Sequence, residues 1–334
     1  MKMSKLFISI LGGTGKNFAF SRLIPELKQK YEYIAVCSPY SDIFECIPQV
    51  DAVYTSNQIR DFIFDAKYKN AEIIIDHIYD SSDFIYKRIN YSDSFRKLCG
   101  LESKGEENGT SLPTSLTSEN IIARYPFLSN EVDKILSDIK SKGYNDFILF
   151  QHTGGQSPLV QVPPKMENGK HVPDWSQVMY NNENEPLQRH IPTKNANDFV
   201  KLFKEKYPKT AVISFTLPNE PFIEGTERYC IPYLTYFLLS ERKEYKGALC
   251  IDSSLQHMIS NPNKKVVVVW GHSEPKSFGY SYNTNIIQDC RRDDILYFTA
   301  LGPSFTKITY HSGEELLNDF EGISQVEKTA ESNS

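Results

Sequence analysis

The chain lacks any apolar run close to the eighteen or so residues that a membrane-spanning helix requires, so no transmembrane segment is expected. It also lacks a Cys-x-x-Cys pair. Its six cysteines (37, 46, 99, 230, 250 and 290) are scattered, without metal-ligand spacing, and several fall inside apolar segments. Free thiols in a reducing cytoplasm, and no bound metal, are the expectation. Positive charge is in deficit: the net charge of −5 gives no general attraction to nucleic acid, which leaves only a local basic groove as a route to it. The start, Met1 to Leu11, has a short apolar part and no small-residue cleavage site before Gly12-Gly13-Thr14-Gly15-Lys16, so it reads as a buried first strand and not as a signal peptide. What remains is ordinary globular usage, 40% hydrophobic and 24% charged over 334 residues, with length for two domains.

Strand-like and helix-like segments alternate. Lys5–Leu11, Glu32–Cys37, Ala52–Tyr54 and Ala71–Ile75 read as strands, separated by helical patterns over Phe18–Tyr31, Tyr40–Ile47 and Gln58–Phe64. Continuous apolar strands alternating with helices predict a parallel sheet covered on both faces. Leu101–Thr117, rich in Gly, Ser, Glu and Asn, reads as a surface loop, and Glu119–Lys142 as helix interrupted at Pro126. A second alternating unit follows. Asp146–Gln151 is its first strand, Pro158–Pro192 a Pro/Asn-rich insertion expected to act as a mobile lid, Ala196–Tyr207 a helix and Thr210–Phe215 a strand. Leu296–Leu301 is a possible further strand and Gly313–Phe320 a closing helix. The expected division is residues 1–143, 144–312 and a closing helix with a frayed tail at 313–334. Two doubly wound sheets side by side make a cleft between their strand ends, where ligands of such sheets bind.

Chemistry concentrates at strand-to-helix corners. Gly12-Gly13-Thr14-Gly15-Lys16-Asn17 is neither a phosphate loop, since Ile10 and Asn17 occupy defining positions, nor a dinucleotide fingerprint, since Phe18 replaces the third glycine. What survives is a tight turn with bare backbone at a helix start. In the second unit Asp252-Ser253-Ser254 opens a helix carrying Gln256 and His257, and the strand Val266–Trp270 ends in Gly271-His272-Ser273-Glu274-Pro275. His152 and Thr153 end the unit's first strand, and Glu220 follows another. Each has an ordinary alternative: a satisfied histidine, a helix cap, a surface glutamate.

These features, in order, resemble the GT-B glycosyltransferases of family nine, the lipopolysaccharide heptosyltransferases and their relatives. Gly13-Thr14-Gly15-Lys16-Asn17 followed by Leu23-Ile24-Pro25 is similar to the family's first turn and helix. Asp252-Ser253-Ser254-Leu255-Gln256-His257 and Gly271-His272-Ser273-Glu274-Pro275 are similar to its donor-binding block, and Phe215–Glu220 to its strand ending with Glu. The resemblance implies an α/β fold of GT-B type, with two Rossmann-like domains facing a central cleft, the acceptor held by the first and the nucleotide sugar by the second. It implies an inverting, metal-independent transferase with no cofactor beyond the nucleotide-diphosphate sugar. The donor-binding candidates are Gly13, Gly15, His152, Thr153, Glu220, Asp252, Ser253, Ser254, His257, Gly271 and His272. Amides of Ser253, Ser254 and Leu255, with His257, would stabilise the leaving diphosphate. Asp252 would cap the helix or hold a hydroxyl.

Two positions depart from the family. Lys16 stands where its acid, the catalytic base, is found, and Ser254 where it has glycine. A lysine at that point resembles family-nine-like proteins of tailed bacteriophages, which implies a host-cytoplasmic location and, as an alternative function, glycosylation of hydroxymethylated DNA bases. A catalytically inactive nucleotide-sugar-binding protein is the other alternative. With Lys16 charged, the base is expected from a neighbouring strand end: Asp76 first, His77 second, either of which could instead cap the next helix.

Overall fold

The computed structural model describes residues 3–85, 88–106, 109–154, 164–167, 170–173, 191–216, 222–271, 273, 275–288 and 309–322. The first unit runs β1 (Met3–Ser9), α1 (Thr14–Ser21), α2 (Ile24–Lys30), β2 (Tyr31–Ser38), α3 (Ser41–Glu45), β3 (Ala52–Thr55), α4 (Ile59–Tyr68), β4 (Glu72–Ile75), α5 (Ser82–Ile85), α6 (Tyr91–Leu98), α7 (Ser118–Arg124) and α8 (Phe127–Ser141). The second runs β5 (Asp146–Gln151), β6 (Pro164–Glu167), β7 (Lys170–Pro173), α9 (Thr193–Lys206), β8 (Thr210–Ser214), β9 (Glu227–Arg228), α10 (Tyr233–Ser240), β10 (Tyr245–Ile251), α11 (Ser254–Ile259), β11 (Val266–Trp270), α12 (Pro275–Phe278), β12 (Thr284–Ile287) and α13 (Gly313–Glu321).

Both large sheets are parallel throughout. Their orders are β3-β2-β1-β4 and β9-β8-β5-β10-β11-β12. Numbered within the second unit, its six strands follow 3-2-1-4-5-6, the doubly wound Rossmann order. The order reverses between β1 and β4 in one sheet and between β5 and β10 in the other. At each reversal the helices leave toward opposite faces, so a crevice opens at the strand C-termini. Continuous apolar runs such as Val266–Trp270 form strands because both faces are covered, and all five residues are buried.

The helix expected over Phe18–Tyr31 is two helices. Pro25 has no amide hydrogen and its ring clashes with the carbonyl one turn back, so α1 stops, Leu23 N bonds Phe20 O at 2.9 Å, and α2 restarts with Pro25 in its first turn. Of the Pro158–Pro192 insertion, a two-stranded antiparallel hairpin (β6, β7) and the buried Ile191 are described. The remainder of the lid expectation, the Leu296–Leu301 strand and the 323–334 tail lie outside the described residues. The closing helix α13 is present and packs on α9.

One apolar cluster runs through both units. Phe18, Phe20 and Ile24 of the first share it with Leu234, Phe237, Leu255 and Met258 of the second. Arg22, 2% exposed, crosses the same seam. Its Nη2 donates to His257 O (2.8 Å) and Ser260 O (2.9 Å) at the end of α11, and its Nη1 to Leu112 O (2.8 Å) and the Tyr282 hydroxyl (3.0 Å). Leu101–Thr117 was expected as a surface loop, but its described residues 101–106 and 109–112 strap the first unit to the second. Thr110 N bonds Gly279 O, and Ser281 N bonds Thr110 O. Gly109, at φ +103°, has no room for a side chain, since a Cβ would fall 2.7 Å from Gly279 O.

The strap is anchored on buried Asp93. Burial pushes its carboxyl up, but the Ser103 hydroxyl (2.6 Å), the Lys104 amide (2.9 Å), Arg96 Nη1 (2.7 Å) and the Gly105 amide (2.9 Å) outweigh burial and hold it below the usual carboxylate range. A carboxyl that binds its proton less readily when folded stabilises fully above its unfolded value of about 3.9 and loses that contribution as pH falls through the lower folded value. Urea midpoints measured against pH should therefore fall more steeply below about pH 4 in the parent than in Asp93→Asn; superimposable acid limbs would contradict the anchor. Arg22→Met keeps the apolar stem but removes the four hydrogen bonds that the guanidinium donates. It should cost at least about 2 kcal/mol in urea unfolding, since a hydrogen bond to a charged group contributes about 1.5–3 kcal/mol.

Candidate functional site

Both reversal points carry polar residues. In the first sheet, β1 leads into Gly12 (φ +104°) and Gly13, the N-cap of α1. Asn17 fastens this turn: its Nδ2 donates to Gly13 O (3.0 Å), and its Oδ1 accepts from the Ser38 hydroxyl at the end of β2 (2.6 Å). Lys16, 6% exposed, sits one residue earlier and reaches the end of β4, where its ammonium pairs with Asp76 Oδ2. The contact is an ion pair without a well-directed hydrogen bond. Asp76 is itself buried; its amide bonds Ser9 O (3.0 Å) and its Oδ1 accepts from Ile78 N (3.2 Å). The Lys16 ammonium also lies 4.3 Å from the centre of the Tyr79 ring. Two buried opposite charges at a strand end thus satisfy each other, as buried charges must. His77, by contrast, is exposed, with Nδ1 on the Ile75 carbonyl (2.8 Å).

In the second sheet, β5 and β10 end side by side, with Gln151 opposite Cys250. Gln151 Nε2 donates to the hydroxyl of Ser253 (3.1 Å), which is the N-cap of α11. Asp252 does not cap that helix. Its buried carboxylate accepts from Gln256 Nε2 (2.5 Å) and from the Ser273 hydroxyl, so it joins the β10 corner to the β11 corner. Gly271, at the end of β11, is buried beside this join. The corner keeps two buried acceptors, Gln151 Oε1 and Gln256 Oε1, without a hydrogen-bond partner among the described residues. His152 is wholly buried and stacks on Phe150, and Thr153 is buried with it. His257 packs with Nδ1 2.9 Å from the Tyr280 hydroxyl and Nε2 3.9 Å from Asp252 Oδ1.

The two corners meet. A Cβ on Gly15 would lie 2.9 Å from His257 Cδ2 and 3.4 Å from the Ser254 Cα, so the bare backbone of the glycine turn is what lets α1 touch α11. Gly13 faces open space. A chain of rings links the charges to the imidazole: Tyr79 bonds Tyr91 hydroxyl to hydroxyl (2.8 Å), and Tyr91 lies 6.0 Å from the His257 ring. The structure therefore brings Gly15, Lys16 and Asp76 together with Ser253, Ser254, His257 and Asp252. Glu220 and His272 lie outside the described residues, and His77 stands apart. Arg22, Tyr79, Gln151 and Tyr280 were not singled out from the sequence. Only Gln151 had a legible signal there, as the last residue of a strand at the head of a doubly wound unit. Among the described residues no group of three or more His, Cys, Asp or Glu could hold a metal ion. A groove of about 550 Å³ lined by Val200, Lys204, Glu224 and Gly225 lies along α9, away from both corners.

No protein-family model matches the sequence, and comparison with curated protein sequences finds no match. Solved structures do match in fold. A glycosyl transferase of family 9 from Veillonella parvula superposes with a TM-score of 0.57 at 11% identity, covering 96% of this chain and 97% of that one. The ADP-heptose lipopolysaccharide heptosyltransferase II of E. coli gives 0.54 at 12% identity, covering 98% and 100%. The iron-containing dodecameric glycosyltransferase TibC of enterotoxigenic E. coli gives 0.53 at 12%, covering 98% of this chain and 74% of that one. The chain has the α/β GT-B fold of these heptosyltransferase structures.

Gly15→Ala gains up to about 1 kcal/mol of helix propensity but overpacks a ring edge, which costs about 1–3 kcal/mol. Because Tyr280 holds the ring, it cannot simply swing away, and the cost should win. We expect a lower urea midpoint and altered His257 ring resonances; an Ala variant as stable as the parent would mean the helices are not in contact here.

Proposed function

We propose that the chain is a nucleotide-sugar-dependent glycosyltransferase that moves a sugar from a nucleoside diphosphate to a hydroxyl acceptor of glycan type. One observation carries the reading: the two topological reversal points, where doubly wound sheets bind ligands, face each other, one bearing a carboxylate with a cation and the other an imidazole with polar acceptors. The heptosyltransferase TibC in complex with ADP-D-β-D-heptose has the same fold, with a TM-score of 0.50. A nucleotide-diphosphate sugar is the donor class we assign to this chain as well.

In this scheme the diphosphate lies against the start of α11 and His257, and donor hydroxyls find the acceptors of Gln151 and Gln256. The acceptor hydroxyl approaches from the side of the first sheet. Its oxygen bonds to the anomeric carbon as the bond from that carbon to phosphate breaks, and the electron pair leaves on the nucleoside diphosphate. Asp76 takes the hydroxyl proton. Attack opposite the leaving group inverts the anomeric centre. Amide and imidazole donors stabilise the leaving charge without a metal. Lys16 neutralises Asp76 in the resting protein, and the acceptor must displace or share that contact.

The buried pairing of Asp76 with Lys16 also favours a second reading, a protein that binds the donor and does not transfer it. Release of nucleoside diphosphate from a panel of nucleotide sugars, with glycan and hydroxymethylated DNA acceptors, decides between them. Under the transferase reading, Asp76→Asn keeps donor affinity and lowers turnover at least ~100-fold. No release from any donor by the parent, despite binding, selects the second reading. His257→Ala should weaken nucleoside diphosphate binding by about 1–3 kcal/mol in calorimetry, the cost of a charge-assisted hydrogen bond; unchanged affinity would remove His257 from the donor site.

A further inference from the structure

The geometry points to Tyr280 as a positioning residue that holds His257 as the neutral tautomer with its proton on Nε2. Four observations converge on this. The Tyr280 hydroxyl, in a fully buried side chain, lies 2.9 Å from His257 Nδ1. Burial pushes the phenol above its ordinary pKa, so it keeps its proton. Were Nδ1 the donor, that phenol proton would be left without an acceptor among the described hydrogen bonds, a buried unsatisfied group. The hydroxyl therefore donates, and Nδ1 accepts.

At the other end of the ring, Nε2 faces Asp252 Oδ1 at 3.9 Å, and a carboxylate favours a proton on the nitrogen nearest to it. Ring reversal is blocked. Gly15 backbone packs on the Cδ2 edge, and a carbon edge suits that contact better than a nitrogen would. The imidazole thus presents an N–H, never a lone pair, on the side where Asp252 and the glycine turn converge. Its use as a donor to diphosphate oxygen rests on the glycosyltransferase reading above; the tautomer does not.

Histidine-selective ¹⁵N labelling of the full chain, with long-range proton–nitrogen correlation at neutral pH, reads the tautomer without any ligand. His257 is assigned from the resonances lost in His257→Gln. The parent should show an acceptor-type Nδ1 and a protonated Nε2, and Tyr280→Phe should lose that preference and mix the two forms. A protonated Nδ1 in the parent, or an unchanged pattern in Tyr280→Phe, overturns the inference; the parent spectrum decides it even if the variant does not fold. Calorimetry with ADP, UDP and GDP in turn separates the two claims. Tyr280→Phe should weaken whichever nucleotide binds by about three- to tenfold, and unchanged affinity overturns the positioning role. A parent with the Nε2–H tautomer that binds none of the three upholds the tautomer and overturns the donor reading instead.

Discussion

The buried guanidinium of Arg22 is the constraint on which the two-sheet arrangement turns. Withdrawing it from water costs several kcal/mol. Four hydrogen bonds and the Tyr280 ring offset that cost, and every one of those partners lies beyond the first sheet's own core, at the end of α11, at Leu112 of the strap and at Tyr280 and Tyr282. Arg22 is the C-cap of α1, and α2 restarts at Ile24 with Pro25 in its first turn, so the guanidinium lies at the junction of the two helices. From there it reaches the last carbonyls of α11, and one residue of the first unit helps hold that helix of the second.

From that seam the site follows by packing. With α11 capped by Arg22 and braced by Tyr280, His257 has one orientation, and Gly15 supplies the gap into which its edge fits. On the other side Asn17 and Ser38 hold the glycine turn so that Lys16 points to Asp76. Lysine stands on the helix and the carboxylate at the end of the neighbouring strand β4. A buried lysine needs a counter-charge, and Asp76 is the residue that meets it.

Much of the fold was legible because strands buried on both faces are simple in sequence. Asp146–Gln151 and Val266–Trp270 were read to the residue, and the alternation gave two parallel sheets. The elements that escaped had no such signature. α10, Tyr233–Ser240, is apolar on every side and wholly buried from Leu234 on, so it shows no polar face by which to recognise a helix. The strap looked like a solvated loop because its anchors, Asp93 and Arg96, lie earlier in the chain. The candidate corners were legible as strand ends followed by polar residues, which is how Asp76, His257 and Gly15 became candidates. Asp252 misled: an acid before a helix reads as a cap, yet its partners, Gln256 and Ser273, are set by how β10 and β11 align. Arg22 and Tyr280 act only through tertiary contacts, and no local pattern marks them.

The central claim is that both corners serve one ligand. A crystal structure of the chain with a nucleotide-diphosphate sugar, chosen from a panel as the one that most raises the melting temperature, tests it most directly. The account predicts the diphosphate against the start of α11 within hydrogen-bond reach of His257 Nε2, and the sugar turned toward Asp76. A ligand seated elsewhere, such as the groove along α9, with both corners unchanged, would contradict it.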